Sequence, residues 1–289
     1  IDCNLYNNET EYLNVIKQCL YNINIVGISM IFDSSYKYLN NISKTIKENS
    51  NATVILGGTA ASLSYKIILN EQKFIDAINY LEGEVPFLRL VNNVNKVNNI
   101  DKFLENDVSF ITKKSIENGK IPQSSFIENL DDVVNIDYSY VDVSKYKMRE
   151  AFSPFTNKIA EKKQFFLITS RGCPFKCVFC SSSLVSGSKV RCASVESIID
   201  HVKYLISEYG MNVLTINDDQ LLSNKLRAKE LFKQLAQFNI RIECATGLSV
   251  AFIDDEMANL MKKAGIDTIV LAIESGSDYM LKNIIHKPL

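Results

Sequence analysis

Three cysteines, Cys173, Cys177 and Cys180, crowd into the stretch SRGCPFKCVFCSSS. Thiolates are soft ligands, the kind that zinc and iron–sulfur clusters select. The spacing C-x3-C-x2-C can give three irons of a [4Fe–4S] cube one ligand each and leave the fourth iron open. An open coordination position is what separates a reactive site from a closed one, as at catalytic zinc. Two blander readings compete: a structural zinc site that borrows Cys192 as its fourth ligand, and a chance grouping of buried thiols. Zinc sites usually use two C-x2-C pairs, and this loop offers one. The expected metal ligands are therefore Cys173, Cys177 and Cys180. The chain has seven cysteines, an odd number that cannot all pair within it, so a reducing compartment and the cytoplasm are expected.

Other chemistry-bearing residues fall where predicted strands end. Asn217-Asp218-Asp219 and Glu274-Ser275-Gly276 place carboxylates at such ends, where parallel α/β folds build their sites; the alternative is that they cap loops or helices. In the first half, strand ends carry Ser29-Met30 and Gly57-Gly58-Thr59, with Glu82-Gly83-Glu84 further on. Glycines there let a backbone approach a bulky ligand closely. Only two histidines occur, His201 and His286; His201 falls in a predicted helix and reads as a surface residue. Arg191 reads as a solvated loop charge.

The elements that must position these residues form two runs separated by an irregular middle. In the first, Ile25–Met30 and Thr53–Leu56 are short apolar runs rich in β-branched residues, read as buried strands. A weaker strand lies near Phe74–Ile78, and helices are expected over Tyr36–Ile46, Ser62–Leu69 and Pro86–Val94. Strands alternating with helices predict a parallel sheet covered on both faces. From about Asn95 to Lys163 the periodicity weakens; Ser109–Thr112 and Asn118-Gly119 suggest a small hairpin. The second run begins with Phe165–Thr169. It continues with a helix capped by Ser194 and stopped by Gly210, a strand at Asn212–Ile216 and a helix at Asn224–Phe238. A strand at Arg241–Ala245, a helix at Asp254–Ala264, a strand at Thr268–Ile273 and a helix from Asp278 complete it. The domains expected are 1–95, a linker with hairpin at 96–163, and a βα repeat over 164–289. Four strands cannot close a barrel and the chain does not start with Met, so both natural ends are expected to be missing.

The cysteine motif, with Phe179 before its last cysteine, on the first strand of a βα repeat, resembles the radical S-adenosylmethionine superfamily. The resemblance covers Phe165 to Leu289. It implies a partial (βα) barrel and a cluster whose open iron chelates S-adenosylmethionine (SAM). It also implies reductive cleavage to a 5′-deoxyadenosyl radical, and an electron donor such as flavodoxin or ferredoxin. It implies contacts to SAM from Phe179, Asp218, Asp219, Glu274 and Ser275, although the Gly-Gly-Glu common in the superfamily is here Asn217-Asp218-Asp219. The GIS and GG strand ends, followed by EGE, look like the Rossmann-like cobalamin-binding domain found ahead of many such enzymes. That likeness implies a cobalamin tail near Ser29, Asp33, Gly57, Gly58 and Thr59. No Asp-x-His-x-x-Gly loop is present; either it was lost with a missing first strand, or cobalt binds without a protein imidazole, and a spectrum with no histidine on cobalt is expected. Together these imply methyl transfer to an unactivated carbon, with rearrangement or ring chemistry as other outcomes in the family; the alternatives are a cobalamin-free radical enzyme and a non-catalytic, zinc-stabilised binding module.

Bulk composition excludes little but does so cleanly. A net charge of −1 gives no reason to expect nucleic acid or an anionic membrane as partner. No stretch approaches the roughly 20 apolar residues of a membrane span. With 46% hydrophobic and 22% charged residues, the chain has the composition of an ordinary globular protein.

Overall fold

In a computed structural model of the chain, residues 1–94, 99–146 and 162–287 are described. They divide into two compact units, Ile1–Ile127 and Glu128–Leu289.

The first unit is organised by β2 (Thr53–Gly57), whose first four residues are all buried. It follows α1 (Glu9–Cys19), β1 (Ile25–Ser29) and α2 (Tyr36–Asn49). β1 lies parallel to β2, with Ile25 opposite Thr53 and Ser29 opposite Gly57. After α3 (Thr59–Leu63) and α4 (Tyr65–Glu71), β3 (Ala77–Asn79) adds a third parallel strand. Successive residues of a strand face opposite sides of its sheet, and β2 uses both sides. Val54 and Leu56 join a core with Tyr12, Ile16, Leu39, Ile46 and Ile68. Ile55 packs instead with Ala77, Leu90, Leu104 and Phe110, brought by α5 (Glu84–Asn93), α6 (Ile100–Asn106) and β4 (Phe110–Ile111). The continuous apolar run of β2 thus answers to a sheet covered on both faces, as expected of an α/β fold.

The hairpin expected at Ser109–Gly119 does not form. β4 runs antiparallel beside β3, pairing Ile78 with Ile111 and Asn79 with Phe110. The next residues turn into α7 (Lys113–Glu117), because Thr112 and Ser115 cap one another: Thr112 Oγ1 accepts the Ser115 N–H and Ser115 Oγ accepts the Thr112 N–H. Asn118-Gly119 ends that helix instead of turning a hairpin. Residues up to Ile127 therefore belong to the first unit, where the sequence suggests a linker from 96.

The second unit holds a parallel sheet in the order β5-β8-β9: β5 (Gln164–Leu167), β8 (Val213–Ile216) and β9 (Arg241–Cys244). Between β5 and β8 lie a two-stranded ribbon, β6 (Ser170–Arg171) with β7 (Arg191–Cys192), the short α8 (Ser182–Val185) and α9 (Val195–Tyr209). Ser194 caps α9 by accepting the Ser197 N–H, and Gly210 ends it in the left-handed region, as the sequence predicts. α10 (Lys225–Leu235) follows β8 and α11 (Asp255–Lys263) follows β9. His201 is not on the surface: it is buried on α9, stacked on Tyr204 with ring centroids 5.8 Å apart.

Thr268–Ile273 does not become a fourth strand. It makes a single bridge, Leu248 to Leu271, with Leu248 N–H donating to Val270 O and Ala272 N–H to Leu248 O. β9 ends at Cys244, and its continuation bends through Gly247 at φ +85°. The apolar run therefore meets a bend where it needs an extended partner. Beyond it, Met280–Ile285 forms a π-helical turn.

Candidate functional site

The cysteine loop leaves the carboxyl end of β5 through Thr169 and Ser170, and both are buried. Their fixed point is Asp218, just past the end of β8. One carboxylate oxygen accepts the Thr169 N–H at 2.5 Å; the other accepts the Thr169 hydroxyl at 2.5 Å and the Ser170 hydroxyl at 2.7 Å. Burial pushes this carboxyl above its ordinary range, opposed by those same hydrogen bonds. Arg227 of α10 holds the other side, donating to Thr169 O at 2.8 Å and Ala193 O at 2.9 Å. Gly172 then passes so close to the returning strand that a Cβ would lie 2.2 Å from Lys189 O, at φ +101°, a conformation left to glycine. Cys173 N–H donates to Gly187 O at 2.9 Å, and Arg191 Nη2 to Ser186 O at 2.7 Å, closing the loop. Arg191 is buried in this role and is no solvated loop charge.

This frame presents the three thiols in graded environments: Cys173 is buried, Cys177 half-buried and Cys180 exposed. Burial pushes the Cys173 thiol up, and a hydrogen bond from Gln220 Nε2 at 3.5 Å opposes it. Burial also raises Cys177, countered by the Lys287 ammonium. The thiols influence one another: Cys180 and Cys173 both act on Cys177, and Cys180 acts on Cys173. Cys180 Sγ lies 3.4 Å from Ser182 Oγ and 3.5 Å from Ser182 N. Cys192, on β7, has Arg227 and Asp218 as its charged neighbours.

The donors on this loop are thiols, soft ligands of the kind that iron–sulfur clusters and zinc select. Among the described residues, no three His, Cys, Asp or Glu side chains gather around one point fit for a metal ion.

The other expected SAM contacts separate. Asp218 is 1% exposed and both its oxygens accept hydrogen bonds from the loop base, so in this structure it holds the cysteine loop. Asp219, half-buried, lies among the charges acting on Cys173. Glu274 is exposed at φ +64° and accepts Lys287 Nζ at 2.9 Å. Ser275 Oγ accepts the Ser277 N–H. Phe179 is 59% exposed. Gln220 and Lys287 carry no motif and escape sequence reading; the polar run after β8, Asn217 to Gln220, was the one signal for Gln220, and Lys287 had none.

In the first unit, register sets Ser29 beside Gly57 at the carboxyl ends of β1 and β2, and Met30 N–H donates to Gly57 O at 2.8 Å. Thr59 opens α3, and Asp33 begins a 3-10 turn ahead of α2. The two glycines have different reasons to be glycine. At Gly58, φ is +101° and a Cβ would lie 2.5 Å from Met30 O, so the backbone itself forbids a side chain. At Gly57 a Cβ would meet nothing within 4 Å. Open space at a parallel sheet's carboxyl edge is where such sheets take ligands.

Residues 167–289 match the profile of the Radical SAM superfamily. An uncharacterized methyltransferase of Pyrococcus horikoshii is 31% identical over 95% of this chain and 56% of its own length. The cytidylyl-2-hydroxyethylphosphonate methyltransferase of Streptomyces wedmorensis is 28% identical over 97% and 55%. The chain thus spans about half the length of these relatives. Among solved structures, the radical SAM methyltransferase TsrM of Kitasatospora setae, with cobalamin and a [4Fe–4S] cluster bound, superposes with a TM-score of 0.63 at 15% identity, covering 89% of this chain and 50% of that one. A second TsrM structure, with tryptophan and a SAM analogue, reaches 0.68 over 94% and 52%. At these identities the likeness is one of fold. No helix among the described residues is long and apolar enough to cross a membrane.

Proposed function

From the premise that this chain belongs to the radical S-adenosylmethionine superfamily, we propose that it forms part of a cobalamin-dependent radical SAM methyltransferase acting on an unactivated carbon. The observation that carries the reading is the set of three thiols at Cys173, Cys177 and Cys180, held on a loop that Asp218 and Arg227 clamp to the ends of β5 and β8.

When bound there, a [4Fe–4S] cluster supplies the electron that cleaves SAM, and cobalamin supplies a carrier for the methyl group. The chain's own residues do the placing. Asp218 fixes the loop base by three hydrogen bonds and Gly172 lets the loop return along β7, so the thiols are preorganised before any ligand arrives. Phe179 offers an exposed aromatic face beside Cys180. Asp219, Glu274 and Ser275 remain the polar groups assigned to SAM, with Lys287 setting the orientation of the Glu274 carboxylate. In the first unit, Ser29, Asp33, Gly57, Gly58 and Thr59 are assigned to cobalamin. The open space over Gly57 is the feature that fits a bulky cofactor, and Gly58 acts by shaping the strand end. A low-potential electron donor such as flavodoxin or ferredoxin completes the system.

The reading is tested by anaerobic reconstitution with iron and sulfide, followed by an assay for 5′-deoxyadenosine from SAM under dithionite. Iron near four per chain (one cube) together with SAM cleavage supports it. Tightly held zinc and no sulfide would replace it with a metal-stabilised binding module.

A further inference from the structure

We propose that Gln220 is a positioning residue whose carboxamide N–H, given to the Cys173 sulfur, raises the reduction potential of the cluster; this rests on the cluster reading above. Gln220 Nε2 donates to Cys173 Sγ at 3.5 Å. The two partners come from different elements, and each is fixed independently of the contact. Gln220 sits in the turn after β8, where its carbonyl accepts the Ser223 hydroxyl at 2.9 Å. Cys173 is held through its own N–H to Gly187 O and is 7% exposed. Two residues before Gln220, Asp218 ties the same strand end to the base of the same loop. The end of β8 therefore meets the cysteine loop twice, once at its root and once at its first sulfur.

The other two sulfurs are served differently. Cys180 is exposed, and its polar neighbour is Ser182, two residues along its own loop. Cys177 has the Lys287 ammonium nearby. Among the described residues, it is at Cys173 that a neutral side chain from another strand end reaches a sulfur sheltered from water. A sulfur bound to iron carries no proton, so the carboxamide can act there only as donor. Reduction adds one electron, and part of that charge spreads onto the thiolate sulfurs. A donor aimed at a sulfur stabilises the reduced form more than the oxidised one, so hydrogen bonds to the sulfurs raise the potential. Exclusion of water strengthens the effect.

The test uses the whole chain, reconstituted anaerobically with no SAM or cobalamin added, and poised at fixed potentials with dithionite and mediators. The reduced fraction is read from the electron paramagnetic resonance signal. Gln220→Leu keeps the bulk and removes the donor, and Gln220→Glu sets a negative charge beside the sulfur. Both variants are expected to hold iron and sulfide at the wild-type level. At a fixed potential the reduced-to-oxidised ratio should fall about tenfold in Gln220→Leu, about 59 mV for a one-electron couple, and further in Gln220→Glu. Unchanged ratios in both variants with intact clusters would overturn the proposal, as would loss of iron from both, which would make Gln220 an assembly residue. A wild-type chain that takes up no iron and sulfide would overturn the cluster reading itself, and that shows before any potential is measured.

Discussion

Asp218 grips Thr169 twice, accepting its backbone N–H on one carboxylate oxygen and its hydroxyl on the other, both at 2.5 Å. The pair joins the ends of two neighbouring parallel strands, β5 and β8. A carboxylate at a strand end invites assignment to a ligand; this one is consumed by the chain. Its role is to set where the cysteine loop begins.

Asp218→Asn therefore should not act as a simple SAM-affinity variant. An amide keeps one acceptor for the Thr169 N–H but turns the two hydroxyls from donors to a carboxylate into acceptors of a neutral N–H. Hydrogen bonds to a charged group are the stronger kind, so the change costs about 1 kcal/mol or more. The thermal midpoint and the iron and sulfide bound per chain should both fall. Full cluster loading combined with weakened SAM binding would return Asp218 to the ligand.

Each of Cys173→Ala, Cys177→Ala and Cys180→Ala should abolish the broad brown absorbance and SAM cleavage, since each thiolate is assigned a different iron. Cys192→Ala should leave both intact, because its surroundings are Arg227 and Asp218. Equal dependence of iron binding on Cys192 and on the other three would favour a four-cysteine closed site.

The sequence makes legible whatever depends on local pattern. β1, β2, β5 and β8 are short, largely apolar runs, β9 alternates charged with apolar residues (Arg241, Ile242, Glu243, Cys244), and Ser194 and Gly210 bound α9 by their own chemistry, so these emerge with little error. Pattern fails where the outcome depends on a partner distant in sequence. Thr268–Ile273 has a strand's composition, but the segment it meets bends at Gly247. Phe110–Ile111 pairs back to β3, and a Thr112–Ser115 cap replaces the hairpin. The same limit holds at the site. The cysteine spacing is visible in one stretch, whereas the use of Asp218 on Thr169, 49 residues earlier, and of Gln220 on Cys173 exists only in three dimensions.

His201 supplies a pH prediction. Burial holds its imidazole below the ordinary value of 6.5, and its Nε2 is buried with no hydrogen-bond partner among the described residues. Protonation is therefore easier in the unfolded chain. The stability that neutral His201 contributes is present above about pH 6.5 and is lost as pH falls below it toward the lower folded value. The thermal midpoint should drop as pH falls below 6.5. His201→Phe, which keeps a ring against Tyr204 and cannot titrate, should flatten that part of the profile. An equally steep fall in the variant would assign the effect elsewhere.

The two neighbouring glycines at the end of β2 separate fold from ligand. Gly58 sits at φ +101° with Met30 O where its Cβ would be, and an L-residue there costs about 1–3 kcal/mol of backbone strain before the steric clash is added. Gly58→Ala should lower the thermal midpoint whether or not cobalamin is present, so loss of cobalamin from it carries no information about the cofactor. Gly57 is the informative position. It ends β2 with φ outside the left-handed region, and its Cβ would enter open space. Gly57→Val should keep the wild-type midpoint and reduce hydroxocobalamin binding at least tenfold, about 1.4 kcal/mol, because the branched side chain fills the space assigned to the cofactor. Binding is followed by the visible spectrum of the cofactor retained after gel filtration, with the iron–sulfur content as a control that should not move. Equal cobalamin retention by wild type and Gly57→Val would remove the cofactor from this edge. A folded wild-type chain that retains none would leave a cobalamin-free radical enzyme as the reading of the second unit.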